Sequence, residues 1–379
     1  MDAIGESLMA NSWFVILLLP MLWYAYTLLK LRNKKGTELT DDKSVSYPLI
    51  SVVIPFRNES RWISDLLDSL ELQDYPAESW ELILVDDHSL DSGPLLVRKA
   101  IDRIPVKTQL ISLEKGSGKK FALKEGIERA QFDWILATDA DCCFKEGWLR
   151  SYADLISTTD ANMICGPVLF RENRNNWLAS FQKFEQAILM FVGKASILNA
   201  NAFLANGANM AFKKSLFKQA DLKESDTPSG DDIFLLHHIK QMDPAKVIFN
   251  DAAEALVRTP AMESILRFID QRIRWASKSR YYKDADSLRY GLAIALGNGI
   301  LVFALCLFLL GFLQLWAFLG LICLKLTVDA IIFFRSRKYA ELRYKWLSFL
   351  LIFPLYPLYT IGIALLSLLY KPRWKGRKI

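Results

Sequence analysis

Residues 137–144 read ATDADCCF, so Asp139 and Asp141 stand one residue apart at the end of the apolar run Phe132–Thr138. Two carboxylates at that spacing can both reach one hard cation. Mg²⁺ and Mn²⁺ prefer oxygen ligands and complete their shell with substrate phosphates, so a short acidic pair is what a metal–diphosphate site needs. The competing reading is a solvated turn, because aspartate is a turn residue. A second pair, Asp86 and Asp87, closes the run ELILVDD. A third, Asp231 and Asp232, follows a Ser-Gly turn in PSGDDIFLLHHIK. Carboxylates suit the start of a helix, and one held beside a reacting hydroxyl can also act as a general base. His237 and His238 share this run but lack a matching acidic spacing. They read as helix surface rather than as metal ligands. In FIDQRIRWASKSRYY, residues Gln271, Arg274 and Trp275 fall at i, i+3 and i+4, on one helical face. Guanidinium suits phosphate oxygens, and an indole can stack on a sugar ring. The whole segment also reads as an amphipathic interfacial helix, with Arg and Trp at headgroup level.

Elements that must position these residues are visible around them. Leu49–Ile54 (LISVVI) is a continuous β-branched run ended by Pro55, as expected of a strand buried on both faces. Glu81–Asp87, Val106–Ser112 and Phe132–Thr138 read as further strands, with helices over about 61–73, 93–104 and 119–130 between them. Alternation of this kind predicts a parallel α/β sheet. Ligands bind such sheets beyond the carboxyl ends of the strands. PFRNES and the first two acidic pairs all fall there.

The chain of 379 residues carries a net charge of +6, with 52% hydrophobic and 23% charged residues. That balance suits a folded chain with a membrane part. Trp13–Leu31 is almost uncharged and long enough to span a bilayer. Asp2 and Glu6 precede it and Lys30, Arg32, Lys34 and Lys35 follow, which reads as an uncleaved anchor over 10–32. Tyr290–Phe334 is long enough for two spans with a break near Gly311–Gln314, and Trp346–Tyr370, interrupted by Pro354 and Pro357, makes a third apolar block. The expected plan is a soluble domain over 37–286, ending in an interfacial helix over 262–284, and about three spans over 290–370. Lys and Arg near the span ends place the soluble domain in the cytoplasm, which makes this a multi-pass protein of the cell (inner) membrane. The basic loop Arg335–Lys345 agrees. The basic tail Lys371–Lys378 would then lie outside if the C-terminal block crossed fully. Either that block is re-entrant or the span count differs. Trp177–Leu198 is apolar on one side, suited equally to the membrane surface or to core packing. The five cysteines show no zinc spacing and read as reduced thiols.

The stretches SVVIPFRNES, LVDDHSLDSG, GKKFALKEGI, ATDADC, GANMAFKKSLF, GDDIFLLHHI and QRIRW, in this order, resemble glycosyltransferase family 2. That family includes cellulose, chitin and hyaluronan synthases and ceramide glucosyltransferase. The resemblance implies a GT-A nucleotide-sugar fold with a Rossmann-like α/β sheet. It implies that Pro55, Phe56, Arg57 and Glu59 line the nucleoside pocket, that Asp87 binds the base with Asp86 beside it, and that Lys119 lies near the nucleotide. Asp139 and Asp141 become the Asp-x-Asp ligands of Mg²⁺ or Mn²⁺. Asp232, with Asp231 beside it, becomes the base, and Gln271, Arg274 and Trp275 match Gln-x-x-Arg-Trp. Arg57 replaces an aromatic residue of many relatives, and Asp231 replaces the commoner Glu. The implied activity is inverting transfer from a nucleotide-diphosphate sugar, UDP-linked in the first place, to a hydroxyl of a membrane lipid or lipid-linked glycan; no nucleic acid is expected as a partner. A processive polysaccharide synthase, a nucleotidyl- or phosphotransferase and a non-catalytic nucleotide-sugar-binding membrane protein are the rival readings.

Overall fold

The computed structural model describes residues 3–32, 47–171, 176–220, 231–340, 352–370, 373–374 and 377–378. Lys34, Lys35, the Ser-Gly turn before Asp231 and the end of the 335–345 segment lie outside them. Helix α1 (Ala3–Leu29) precedes the sheet domain. Strands β1 (Ile50–Phe56), β2 (Trp80–Asp86), β3 (Lys107–Ser112) and β4 (Trp134–Thr138) are joined by α2 (Ile63–Glu71), α3 (Gly93–Ala100) and α4 (Lys119–Arg129). Then come α5 (Trp148–Thr158), β5 (Met163–Cys165), β6 (Val168–Phe170), α6 (Trp177–Leu198), β7 (Asn209–Lys213), α7 (Lys214–Gln219), α8 (Asp231–Met242), β8 (Val247–Phe249) and β9 (Val257–Thr259).

The main sheet has the order β3-β2-β1-β4-β7-β5-β8. The first four strands pair in parallel, as their apolar runs predict. Beyond these four strands the direction changes, because β7 runs antiparallel to β4 and β5. Its reversal has a geometric cause. The 22-residue α6 carries the chain back across the domain, and the loop after it re-enters at the carboxyl edge, where Asn209 pairs with Thr138. That entry puts Gly207 beside the acidic turn that follows β4. Alternate residues of β1 and β2 point to opposite layers: Val52, Ile54, Leu82 and Leu84 join one core, while Val53, Ile83 and Val85 join another with Ala122, Leu123 and Ile127 of α4.

β6 and β9 form a separate parallel ribbon. Backbone pairing of Cys143 with Arg258 staples this ribbon to the acidic turn. Helix α6 is mostly buried, between the ribbon and α11 (Leu315–Ala340), so core packing accounts for most of its apolar side; Trp177 at its start stays half exposed.

Among the described residues, three helices are long and apolar enough to cross a membrane: Ser12–Leu29 of α1, α10 (Ala285–Leu309) and Leu315–Tyr339 of α11. The break between the last two falls where the sequence puts it. The expected basic loop from Arg335 is instead helical as far as Ala340. The reason is a tertiary contact: Arg335 donates to the carbonyls of Leu29 (3.2 Å) and Leu31 (3.1 Å), capping the C-terminal end of α1 and giving the last turns of α11 a partner. Helix α12 (Tyr356–Leu369) has 14 residues. At 1.5 Å per residue it is about 21 Å long, short of the ~30 Å hydrocarbon layer.

Candidate active site

The loops after β1 and β2 are zipped together. Arg57 is buried, and its Nη1 donates to the carbonyls of Asp87 (2.6 Å) and His88 (3.0 Å). Asn58 Oδ1 accepts from Leu90 N at 2.7 Å, and Ser60 N donates to Asp91 at 2.7 Å. Glu59 caps the turn into α2 through its carbonyl, and Pro55 and Phe56 are buried in β1. Arg57 thus braces this edge through backbone carbonyls, a role that an aromatic residue could not take. Asp86 Oδ1 accepts from Ser89 N at 3.0 Å. Asp87, also buried, accepts from Gly118 N at 2.9 Å. Gly118 has φ +107, a backbone region open to glycine, and this lets the chain present its N–H to Asp87 just before α4.

Lys119, the first residue of α4, ion-pairs with Asp139. Two residues on, Asp141 accepts from Thr259 Oγ1 at 3.3 Å, and its carbonyl accepts from Arg171 Nη2 at 3.0 Å. Both donors close the β6–β9 ribbon. Asp139 is about one-third exposed, its carboxylate open to an incoming ligand.

Asp232 meets this group from the other side. Its Oδ2 accepts from Gly207 N at 3.1 Å and its Oδ1 from Ile233 N at 2.9 Å. Lys278 Nζ lies 3.7 Å from Oδ1. A Cβ on Gly207 would sit 3.4 Å from Asp232 Oδ2 and 3.5 Å from Lys119 Nζ, so base candidate and lysine converge over a residue with no side chain. Burial pushes the Asp232 pKa up, but Lys278, Lys119 and the two backbone N–H groups outweigh it, and the carboxyl is held below its ordinary 3.8. Asp231 opens α8, and its side chain lies outside the described residues.

Helix α9 (Ile265–Ser277) carries the amide, guanidinium and indole. Arg274 is lowered by burial, and the charges opposing that are Asp139 and Asp232, so it faces the same cluster. Gln271 accepts from Arg272, whose guanidinium lies 4.3 Å from the Trp275 ring. The structure therefore brings Lys119, Asp139, Asp232 and Arg274 together, while Gln271 and Trp275 are organised around Arg272. Pattern reading passed over Gly207, Lys278, Thr259 and Arg171 as site neighbours. Lys278 had a signal in its charge next to the Gln-x-x-Arg-Trp run; Thr259 and Arg171 had none. His237 is corrected: it is buried, with Nε2 2.7 Å from Ser287 Oγ, because α8 packs on the start of α10.

Residues 51–220 match the model of glycosyl transferase family 2. The chain carries a family 2 glycosyltransferase domain. The poly-β-1,6-N-acetyl-D-glucosamine synthase of Staphylococcus epidermidis is 26% identical over 229 residues, 60% of this chain and 53% of that one. The β-monoglucosyldiacylglycerol synthase of Synechocystis sp. is 31% identical over 151 residues, 37% of this chain and 30% of that one. The chain thus spans about half or less of these curated relatives. Among solved structures, the mannosyltransferase PcManGT of Pyrobaculum calidifontis, in complex with GDP-Man and Mn²⁺, superposes with TM-score 0.59 at 17% identity, covering 96% of this chain and 99% of that one. The glycosyltransferase domain has the GT-A fold. The family match ends before Asp232 and α9, which rest on the geometry above.

Proposed function

We propose that this glycosyltransferase moves a sugar from a nucleotide-diphosphate sugar, UDP-linked in the first place, to a hydroxyl of a membrane lipid or lipid-linked glycan, in one inverting displacement. The carrying observation is the convergence of Asp232, Lys119, Asp139 and Arg274 at the carboxyl edge of the sheet. The acceptor oxygen attacks the anomeric carbon as the bond to the diphosphate oxygen breaks, and Asp232 takes the hydroxyl proton. Arg274 and Lys119 face the charge that builds on the departing diphosphate. Asp87, Asp86 and the braced 55–59 loop form the nucleoside side. Low on the acid scale, Asp232 is ionised at neutral pH and ready to accept.

The donor set fits a divalent cation. Asp139 and Asp141 offer only oxygen, and among the described residues no group of three or more His, Cys, Asp or Glu forms a complete protein cage. Two carboxylates plus diphosphate oxygens is the pattern expected of Mg²⁺ or Mn²⁺. The cation, when bound, supplies charge neutralisation on the diphosphate. PcManGT was solved with Mn²⁺.

The lipid acceptor is supported by the apolar helices that adjoin the domain and by exposed Ile265 and Leu266 at the start of α9. The Synechocystis relative's name is that of a glycolipid synthase. Mass analysis of membrane lipids from expressing cells tests this. A new glycosylated lipid is expected with wild type and not with Asp232→Asn. A polymer in the medium, with lipids unchanged, would favour the processive reading.

A further inference from the structure

Arg272 stands between the motif residues of α9, and its surroundings differ from theirs. It is buried. Its Nε donates to Glu185 Oε2 at 2.7 Å, and Nη2 lies 2.6 Å from the same oxygen. Nη1 donates to Gln271 Oε1. Its guanidinium is flanked by the rings of Phe268 (4.5 Å) and Trp275 (4.3 Å). Glu185 belongs to α6, and its other oxygen accepts from Tyr359 on α12 at 2.8 Å. Arg280, just beyond α9, adds a second tie to α12 by donating to the Ser367 carbonyl.

A buried ion pair is a poor source of stability, because desolvation of both charges offsets their attraction. Its fixed geometry does more. A planar guanidinium held by one carboxylate cannot rotate, so the ring and amide that rest on it are fixed too. Two of the three motif side chains are therefore set from behind, by residues far away in sequence.

We propose that Arg272, clamped by Glu185 and Tyr359, is the positioning residue that orients Gln271 and Trp275 toward the acceptor, so that α12 tunes acceptor use. This rests on the reading of α9 as part of the active site. Donor binding at the sheet edge is not routed through the clamp, so the two should separate.

The test is a double-mutant cycle with Tyr359→Phe and Trp275→Phe on the full chain. UDP-[¹⁴C]glucose and UDP-N-acetyl[¹⁴C]glucosamine serve as donors and native membrane-lipid vesicles as acceptor; UDP affinity is measured by calorimetry. Tyr359→Phe should raise the half-saturating vesicle concentration about threefold or more while UDP affinity holds. Added to Trp275→Phe it should add far less, since groups in contact couple rather than add. Glu185→Gln, which keeps the shape and loses the charge, should behave like Tyr359→Phe. Additive effects, or a loss of UDP affinity with unchanged half-saturation, would overturn the clamp while leaving the active-site reading intact. Wild-type transfer by Trp275→Phe would overturn the reading of α9 itself, and the clamp with it.

Discussion

At the residue scale the two acidic groups of the site are held differently, and this separates their expected failures. Asp232 takes two backbone N–H groups and two nearby ammonium groups. Asp232→Asn keeps the volume and much of the hydrogen bonding but removes basicity. Nucleotide should still bind, and single-turnover transfer should fall by roughly a hundredfold or more, the usual scale for losing a general base. Normal turnover would move the base elsewhere, with Asp231 the first alternative. Asp139 and Asp141 carry the opposite expectation. Asp139→Asn or Asp141→Asn should weaken Mn²⁺ binding, read by its paramagnetic resonance signal with UDP present, by at least the ~10–100-fold that loss of an outer-shell partner costs. Unchanged Mn²⁺ binding in both variants would return the pair to the status of a solvated turn. Both assignments start from residues legible in the sequence, because an acidic pair on the end of a buried strand stands out against its apolar run. Lys278 and Gly207 did not stand out. One looked like interfacial charge, the other like an ordinary loop glycine; the reversed entry of β7 brings Gly207 to Asp232, and the end of α9 brings Lys278 there.

At the element scale, local pattern was a good guide to strands and a poor one to helix contacts. β1 to β4 were visible because burial on both faces leaves continuous apolar runs. The Arg272–Glu185–Tyr359 clamp was not visible, because its members lie 87 and 174 residues apart. The burial of His237 was missed for the same reason. Asp284 Oδ1 accepts from both Ser287 N and Ser287 Oγ, so Ser287 Oγ is left to accept, and the geometry assigns the neutral Nε2–H tautomer to His237. Burial pushes the His237 pKa down to about 4 from 6.5. A group whose folded pKa is depressed stabilises the fold above its unfolded value and loses that contribution as pH falls toward the folded one. The window is therefore pH 6.5 down to about 4, and the loss is on the order of 3 kcal/mol. Thermal midpoints in detergent should drop across this window in wild type and drop less in His237→Gln, whose amide can still donate to Ser287. Parallel curves would mean that the docking of α8 on α10 does not depend on the imidazole's charge.

At the scale of the whole molecule, charge and geometry point to one orientation. The ends of the apolar helices that meet the sheet domain carry the cations. Lys30 and Arg32 lie at the end of α1, and Arg335, Arg337 and Lys338 at the end of α11. Lys338 and Tyr339 bind Asp251, as does Lys194 of α6, so this end of α11 is fastened to the domain. The opposite turn between α10 and α11, residues 310–314, reads LGFLQ and has no charge at all. By the positive-inside rule, the orientation expected from this charge has the domain side in the cytoplasm. The described part of the last apolar block bears on the basic tail. Helix α12 is too short to cross by itself, and the Arg280–Ser367 tie holds its last turn on the domain side. The expected topology is three crossings with domain and tail on the same, cytoplasmic face. Leu90 is 89% exposed on the domain surface and suits a reporter. With the native cysteines replaced by serine, Leu90→Cys should resist a membrane-impermeant maleimide in intact cells and react fully once the membrane is opened. A cysteine at Phe312, in the uncharged turn, should show the reverse and label in intact cells. Labelling of Leu90→Cys in intact cells would put the catalytic edge on the side where nucleotide sugars are scarce, and the donor assignment would fall with it.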